Sequence, residues 1–263
     1  MTKEPRRWAL ILGASSGFGA AAAKAFVEEG YDIIGIHLDR RNRRAEVDLL
    51  IEGLKQSGQL IHFFNINAAD DKRRAENIER IHALLSEHGG KIKIFLHSLA
   101  FGSLLPLVSA EASTARKRHL DMTIDVMANS LVYWTQDLLK LNLFDQSRIF
   151  AMTSAGGRSV WSQYGPVSAA KAALESHVRQ LAVELASWKI TVNAIQAGVT
   201  NTAALRKIPN SDSLIQAATS TNPHRRLTQP EDVARCLISL ASEHTYWMTG
   251  NIICVDGGEN LCA

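Results

Sequence analysis

The chain has 263 residues, 46% of them hydrophobic and 21% charged, with a formal net charge of +3. This suits a soluble globular protein built on one large α/β core, and the charge is too small and too scattered for a nucleic-acid surface. The three cysteines, Cys236, Cys254 and Cys262, are odd in number and lack metal-ligand spacing, so no metal is predicted and a reducing compartment is.

The start, MTKEPRR, is polar, and the apolar run after it covers only residues 8–12, which predicts no signal peptide. The longest apolar region, residues 92–108, is broken by Lys93, His97, Gly102 and Pro106 and cannot span a bilayer. A cytoplasmic protein with no membrane insertion is expected. The arginine pairs, such as Arg6-Arg7 and Arg225-Arg226, read as solvated faces.

Residues 8–12 (WALIL) predict a buried strand that runs into the turn GASSGFG, with Gly13, Gly17 and Gly19. Residues 20–29 continue as a helix. Strand, glycine turn and helix form the unit that sets a pyrophosphate on helix N-terminal amides, although the spacing G-x-x-x-G-x-G departs from the usual dinucleotide fingerprint. Residues 31–38 (YDIIGIHL) predict a second strand, ending in Asp39-Arg40-Arg41. A carboxylate there holds the adenosine ribose, whereas a cation accommodates a 2′-phosphate. His37 stands about where an NAD-selecting Asp is sought, and Arg40 and Arg41 follow Asp39 at once, so NADPH is favoured and NADH is the alternative.

A helix is predicted over 43–57, a third strand over 60–66 with Asn67 and Ala68 at its end to flank an adenine, and a charged helix over 71–88. A fourth strand over 92–96 leads into His97-Ser98-Leu99-Ala100-Phe101-Gly102. Helices follow around 112–118 and 120–140, then a fifth strand over 148–152 and a sixth over 190–195. The turn Ala197-Gly198-Val199-Thr200-Asn201-Thr202 leaves that sixth strand. Residues 201–226, with Pro209 and Pro223, read as a mobile flap carrying a helix around 213–219. Pro230 opens another helix with Glu231 and Asp232 in its first turn, and residues 251–255 are the last strand. Strands and helices alternate without a composition break. The prediction is a single doubly wound α/β (Rossmann) domain over 1–263, with a parallel sheet of about seven strands covered by helices on both faces.

Between the fifth strand and the sixth lies the stretch TSAGGRSVWSQYGPVSAAKAALE, with Ser154, Tyr164 and Lys171. Tyr164 follows Ser154 by ten positions and precedes Lys171 by seven, almost two helical turns, which would put phenol and ammonium on one helix face, unless Pro166 opens the helix and Tyr164 precedes it. A phenol beside an ammonium is expected to have a lowered pKa, suited to acid–base work. An exposed pair on an ordinary helix is the plain alternative. The glycine turn, the HSLAFG segment, Ser154 and the 197–202 turn all fall at the carboxyl ends of predicted strands, where such sheets bind ligands, and this favours a site.

GASSGFG, HSLA, the Ser154–Tyr164–Lys171 set, VNAIQAG and PEDV…TGNIICVDGG resemble the short-chain dehydrogenase/reductase superfamily over essentially the whole chain. Its ordinary ketone and alcohol reductases place three residues between Tyr and Lys; here there are six, as in the enoyl-acyl-carrier-protein reductases. The region AGVTNTAALRKIPNSDSL…NPHRRL is similar to their NADPH-using branch with a glycine turn of the ordinary type. The ordinary family's catalytic Asn falls near Met127 here, with Asn129 two positions late, which counts against ketone reduction.

The resemblance implies reduction of the C2=C3 bond of trans-2-enoyl thioesters in fatty-acid synthesis, on acyl carrier protein or CoA. Tyr164 would hold the thioester oxygen, Lys171 the nicotinamide ribose, and Ser154 would orient substrate. Gly13, Ser15, Ser16, Phe18 and Gly19 would surround adenosine and pyrophosphate, and Arg40 and Arg41 would face a 2′-phosphate. Asn67 and Ala68 would meet the adenine, Ser98 and Ala100 the ribose region, and Gly198 and Thr202 the pyrophosphate or carboxamide side. A homotetramer is implied, with the helices over 120–140 and 164–187 at its interfaces. A 3-oxoacyl or other ketone reductase is the alternative enzyme, and a non-catalytic dinucleotide sensor the distant one.

Overall fold

A computed structural model describes residues 5–262; Met1–Glu4 of the polar start lie outside them. Seven strands form one parallel sheet in the order β3-β2-β1-β4-β5-β6-β7. They are β1 (Arg7–Leu12), β2 (Asp32–His37), β3 (Ile61–Asn65), β4 (Lys91–His97), β5 (Phe144–Ser154), β6 (Thr191–Ala197) and β7 (Ile252–Val255). The central strands are apolar on consecutive residues because both sheet faces are covered. In β1, Trp8, Leu10 and Leu12 face one layer while Ala9 and Ile11 face the other, and all five are fully buried.

Three helices pack on the first face: α3 (Asp71–His88), α5 (Ser130–Lys140) and α6 (Gly165–Glu184), through Ile81, Trp134 and Leu174 among others. On the second lie α1 (Gly17–Glu28), α2 (Arg44–Lys55) and α8 (Pro230–Ala241), through Phe26, Leu54 and Leu237. Strand order reverses between β1 and β4, so their carboxyl ends diverge and leave a crevice there. Of the remaining helices, α4 (Lys117–Ile124) packs on α6, and α7 (Ser211–Thr221) on the short turn Leu205–Lys207 after β6. No helix among the described residues is long and apolar enough to cross a membrane.

Three local differences from the sequence expectation have physical causes. No helix forms over residues 112–116: the Ser109 hydroxyl accepts from the Glu111 and Ala112 amides, and the Ala115 amide donates to the Pro106 carbonyl. The expected helix over 120–140 is α4 and α5 joined by a π-helical turn over Asp125–Asn129. There the Ser130 hydroxyl donates to the Val126 carbonyl oxygen at 2.7 Å. Strand β5 starts four residues earlier than its apolar signal, through the polar residues 145–147.

Candidate active site

The crevice holds two cavities that share Phe18, Ser98, Leu99, Ala100, Thr202 and Lys207, so they form one continuous trough. The first arm runs along the turn after β1, past Gly13, Ser15 and Ser16, to Asp39, Asn67 and Ala68. Gly13 has φ +86°, and a Cβ on it would stand 2.3 Å from the Ser98 carbonyl oxygen; only glycine lets β1 and the β4 loop meet there. The first amides of α1 have no side-chain cap and face this arm from the Ser15–Gly17 turn. The N-terminal amides of α1, the Ser16 hydroxyl and a close glycine turn are the donor set that holds a dinucleotide diphosphate, and the residues present fit that group.

At the far end of this arm the Asp39 side chain is 7% exposed and ion-paired to Arg43 at 3.0 Å. The His37 Nδ1–H also donates to it at 3.0 Å. Burial pushes the Asp39 carboxyl up, but the Ser15 hydroxyl, His37 and Arg43 outweigh it and hold the group below the usual carboxylate range. Arg43 lines the arm, whereas Arg40 and Arg41 are exposed and lie outside it. The arginines expected to face a 2′-phosphate are therefore not in the groove, because the chain turns outward after Asp39; the inward one is a helical turn later, at the spacing that lets it pair with Asp39. Gly19 does not line the groove either. It packs beneath the turn, where a Cβ would stand 2.1 Å from the Gly13 carbonyl oxygen.

The second arm is mostly apolar and holds the predicted catalytic set: Ser154 at the end of β5, Tyr164, and Lys171 on α6. Gly198 lines this arm rather than the first. Tyr164 is not on the helix. It is the residue before α6, its carbonyl oxygen accepting from the Ser168 amide at 2.8 Å, and Pro166 sits in the first turn, where its missing N–H costs nothing. The shared-face expectation fails for this reason, yet both side chains line the same arm. The Tyr164 ring is 7% exposed and packs on Trp161, ring centroids 4.9 Å apart at 57°.

The expected lowering of the Tyr164 pKa is also reversed. Burial pushes the phenol up, and only the Ser154 hydroxyl opposes it. Lys171 is itself buried; it donates to the Met152 carbonyl oxygen at 2.6 Å, and burial takes its ammonium down to about 8, partly offset by Glu175. Next to it His97 is fully buried. Burial first and the Lys171 charge second hold its ring down to about 3, so it is neutral. Its Nε2–H donates to the Ser130 hydroxyl at 2.8 Å, which ties β4 to the π-helical turn. That turn brings Met127 into the second arm and Val126 into the first. Asn129 faces away, accepting from His177 Nε2 on α6 at 3.0 Å.

Sequence reading did not place Trp161 or Lys207 at the site, and it reached Met127 only as the residue near the position of the ordinary family's catalytic Asn. Trp161, three residues before Tyr164, had a usable signal; a π-helical turn has none. Arg43 had one in its four-residue offset from Asp39.

A family model described as enoyl-(acyl carrier protein) reductase matches residues 13–260 of the chain. The chain is 30% identical over 186 residues, 71% of its length, to the enoyl-acyl-carrier-protein reductase (NADH) FabI of Aquifex aeolicus, of which 68% is covered. It is 28% identical over 244 residues to the NADPH-designated FabI of Staphylococcus aureus, covering 93% of this chain and 91% of that one. The crystal structure of the Aquifex aeolicus reductase superposes with a TM-score of 0.81 at 26% identity, covering 97% of this chain and 96% of that chain.

Proposed function

Because the chain belongs to the enoyl-(acyl carrier protein) reductase family, we propose that it reduces the C2=C3 double bond of trans-2-enoyl thioesters with NADPH. The observation that carries this reading is the continuous trough, whose arm along the glycine turn joins the arm holding Tyr164 and Lys171 at Ser98, Ala100 and Thr202. Gly13, Ser15, Ser16 and the first amides of α1 would hold the diphosphate, and Asn67 and Ala68 the adenine. Bound there, the nicotinamide would supply a hydride to C3 of the enoyl chain.

As C3 is reduced, negative charge develops on the thioester oxygen. A phenol that burial keeps protonated is a donor at neutral pH, so Tyr164 donates to that oxygen and stabilises the enolate. Ser154 orients the phenol. Lys171 spends one proton on the Met152 carbonyl oxygen and keeps two to hold ribose hydroxyls. Met127, where ordinary ketone reductases carry a catalytic Asn, leaves no polar group there and disfavours ketone chemistry.

Leu205, Lys207 and Ile208 line the apolar arm from the segment after β6, so residues 201–226 act as the flap that closes over the acyl chain. Lys207 touches both arms and has no ion-pair partner among the described residues, which suits it to the diphosphate as the flap closes. Arg43 takes the 2′-phosphate by exchanging it for Asp39. The carboxylate of Asp39 in the groove favours a second cofactor reading, NADH. A homotetramer joined through the outer faces of α5 and α6 belongs to the same reading.

The test is NADPH and NADH oxidation, each alone, with crotonyl thioesters of acyl carrier protein and of CoA, against acetoacetyl thioester. Turnover of the crotonyl substrate is expected. Oxidation with acetoacetyl thioester alone would overturn the reading in favour of a ketone reductase.

A further inference from the structure

The amino ends of β1, β4 and β5 meet the carboxyl end of α8 in a separate cavity of about 370 Å³, on the sheet edge opposite Tyr164. Arg7, Tyr31, Lys93 and Arg148 stand around it, with the carboxylates Glu29 and Glu243. Arg148, on β5, is only 5% exposed. Among the described residues its side chain makes one hydrogen bond, from Nη1 to the Gln146 carbonyl oxygen at 2.9 Å. Its Nε is buried with no partner. Among the described residues it forms no ion pair, and Glu243 attracts it only from beyond contact distance.

The neighbouring cations and the helix end are already engaged, and the two carboxylates at the cavity, Glu29 and Glu243, form no ion pair with Arg148 among the described residues. Arg7 donates to the Glu29 carbonyl oxygen at 2.6 Å and lies over the Tyr31 ring at 4.4 Å. Lys93 is paired with Asp145. The end of α8 has its own partners: the Thr245 hydroxyl bonds the Leu240 and Ser242 carbonyl oxygens at 2.9 Å, and the Ser242 amide bonds that of Ser239 at 3.3 Å. A guanidinium withdrawn from water at the wall of a cavity, with neither a carboxylate nor a helix end in contact with it among the described residues, has the form of an oxyanion site.

We propose that this cavity binds a small oxyanion, a carboxylate or a phosphate group, on the Arg148 guanidinium, with Arg7 and Lys93 adding positive potential at its mouth. The planar fork of arginine matches two oxygens of either group. The site is independent of the reductase reading, since none of its residues lines the trough.

The test is calorimetric titration of the full chain with inorganic phosphate and, separately, with acetate, at ionic strength fixed by chloride. Saturable binding of phosphate alone marks a phosphate group as the ligand; binding of both marks a carboxylate as sufficient. Arg148→Met is expected to weaken that binding by about tenfold or more. Glu243→Gln, at an exposed position, is expected to tighten it by removing a competing carboxylate. Absence of saturable binding to either anion overturns the proposal, as does equal affinity in Arg148→Met, which would put the anion at the glycine turn instead. Should Arg148→Met fail to fold, Glu243→Gln and Lys93→Gln decide: unchanged affinity in both overturns it.

Discussion

The Cε1 of Tyr164 lies 2.4 Å from where a Cβ on Gly156 would stand. Gly156 sits in the turn that the Ser154 hydroxyl caps, accepting from the Gly156 amide at 3.1 Å, so one short segment fixes both the serine and the place of the phenol. Gly156→Ala must therefore displace the ring or the turn. The expected result is a fall of about tenfold or more in kcat with crotonyl thioester, while the NADPH dissociation constant stays within about twofold. Equal losses in both would show a general collapse of the crevice instead.

Tyr164 works in this scheme as a protonated donor, and its loss is a loss of transition-state stabilisation. Tyr164→Phe keeps the ring packed on Trp161 and removes only the hydroxyl. It should lower kcat by about 10²–10³, the range for one oxyanion-stabilising donor, with a small change in KM. Ser154→Ala should cost less, because Ser154 acts through the phenol. Activity retained in Tyr164→Phe would remove Tyr164 from its role even with the substrate class correct.

Lys171 ties stability to pH. Burial holds its ammonium at about 8 against a usual value of 10.5. Between those values the unfolded chain binds more protons than the folded one, so stability rises with pH, by at most about 3 kcal/mol. Tyr164 has the opposite sign: its raised pKa supports a contribution that is present below pH 10 and lost above it. Urea midpoints of the unliganded protein should thus climb from about pH 8 to about pH 10, and Lys171→Met should remove that climb. A wild-type midpoint that is flat over this range would contradict the burial assigned to Lys171.

Much of this architecture was legible in the sequence because it rests on local signals. Five apolar residues before Gly13, and a glycine where the chain passes close to Ser98, mark β1 and the groove without tertiary information. The failures have different causes. Helix spacing placed Tyr164 and Lys171 on one face, but Pro166 marks a first turn, so Tyr164 stands outside the helix. Charge pairing predicted a lowered phenol pKa, and burial, which depends on Trp161 and the whole apolar arm, won. The π-helical turn that presents Met127 arises from long-range and short-range bonds to Ser130 that no periodicity announces.

In the proposed reading, cofactor choice turns on the pair Asp39–Arg43 at the end of the groove. The carboxylate is 7% exposed and takes bonds from His37 and Arg43, each at 3.0 Å. As it stands, its charge opposes a 2′-phosphate, and Arg43 neutralises that charge instead of offering itself to the ligand. Asp39→Asn removes the repulsion and frees the guanidinium together. The NADPH dissociation constant should then tighten by about tenfold, the scale of one charge-assisted hydrogen bond, while that for NADH weakens through loss of a ribose acceptor. Arg43→Ala in the wild-type background should weaken NADPH by a similar factor and leave NADH almost unchanged. The two exposed neighbours supply the control. If Arg40→Ala and Arg41→Ala weaken NADPH and Arg43→Ala does not, the 2′-phosphate lies outside the groove end lined by Arg43, and the exchange with Asp39 is wrong.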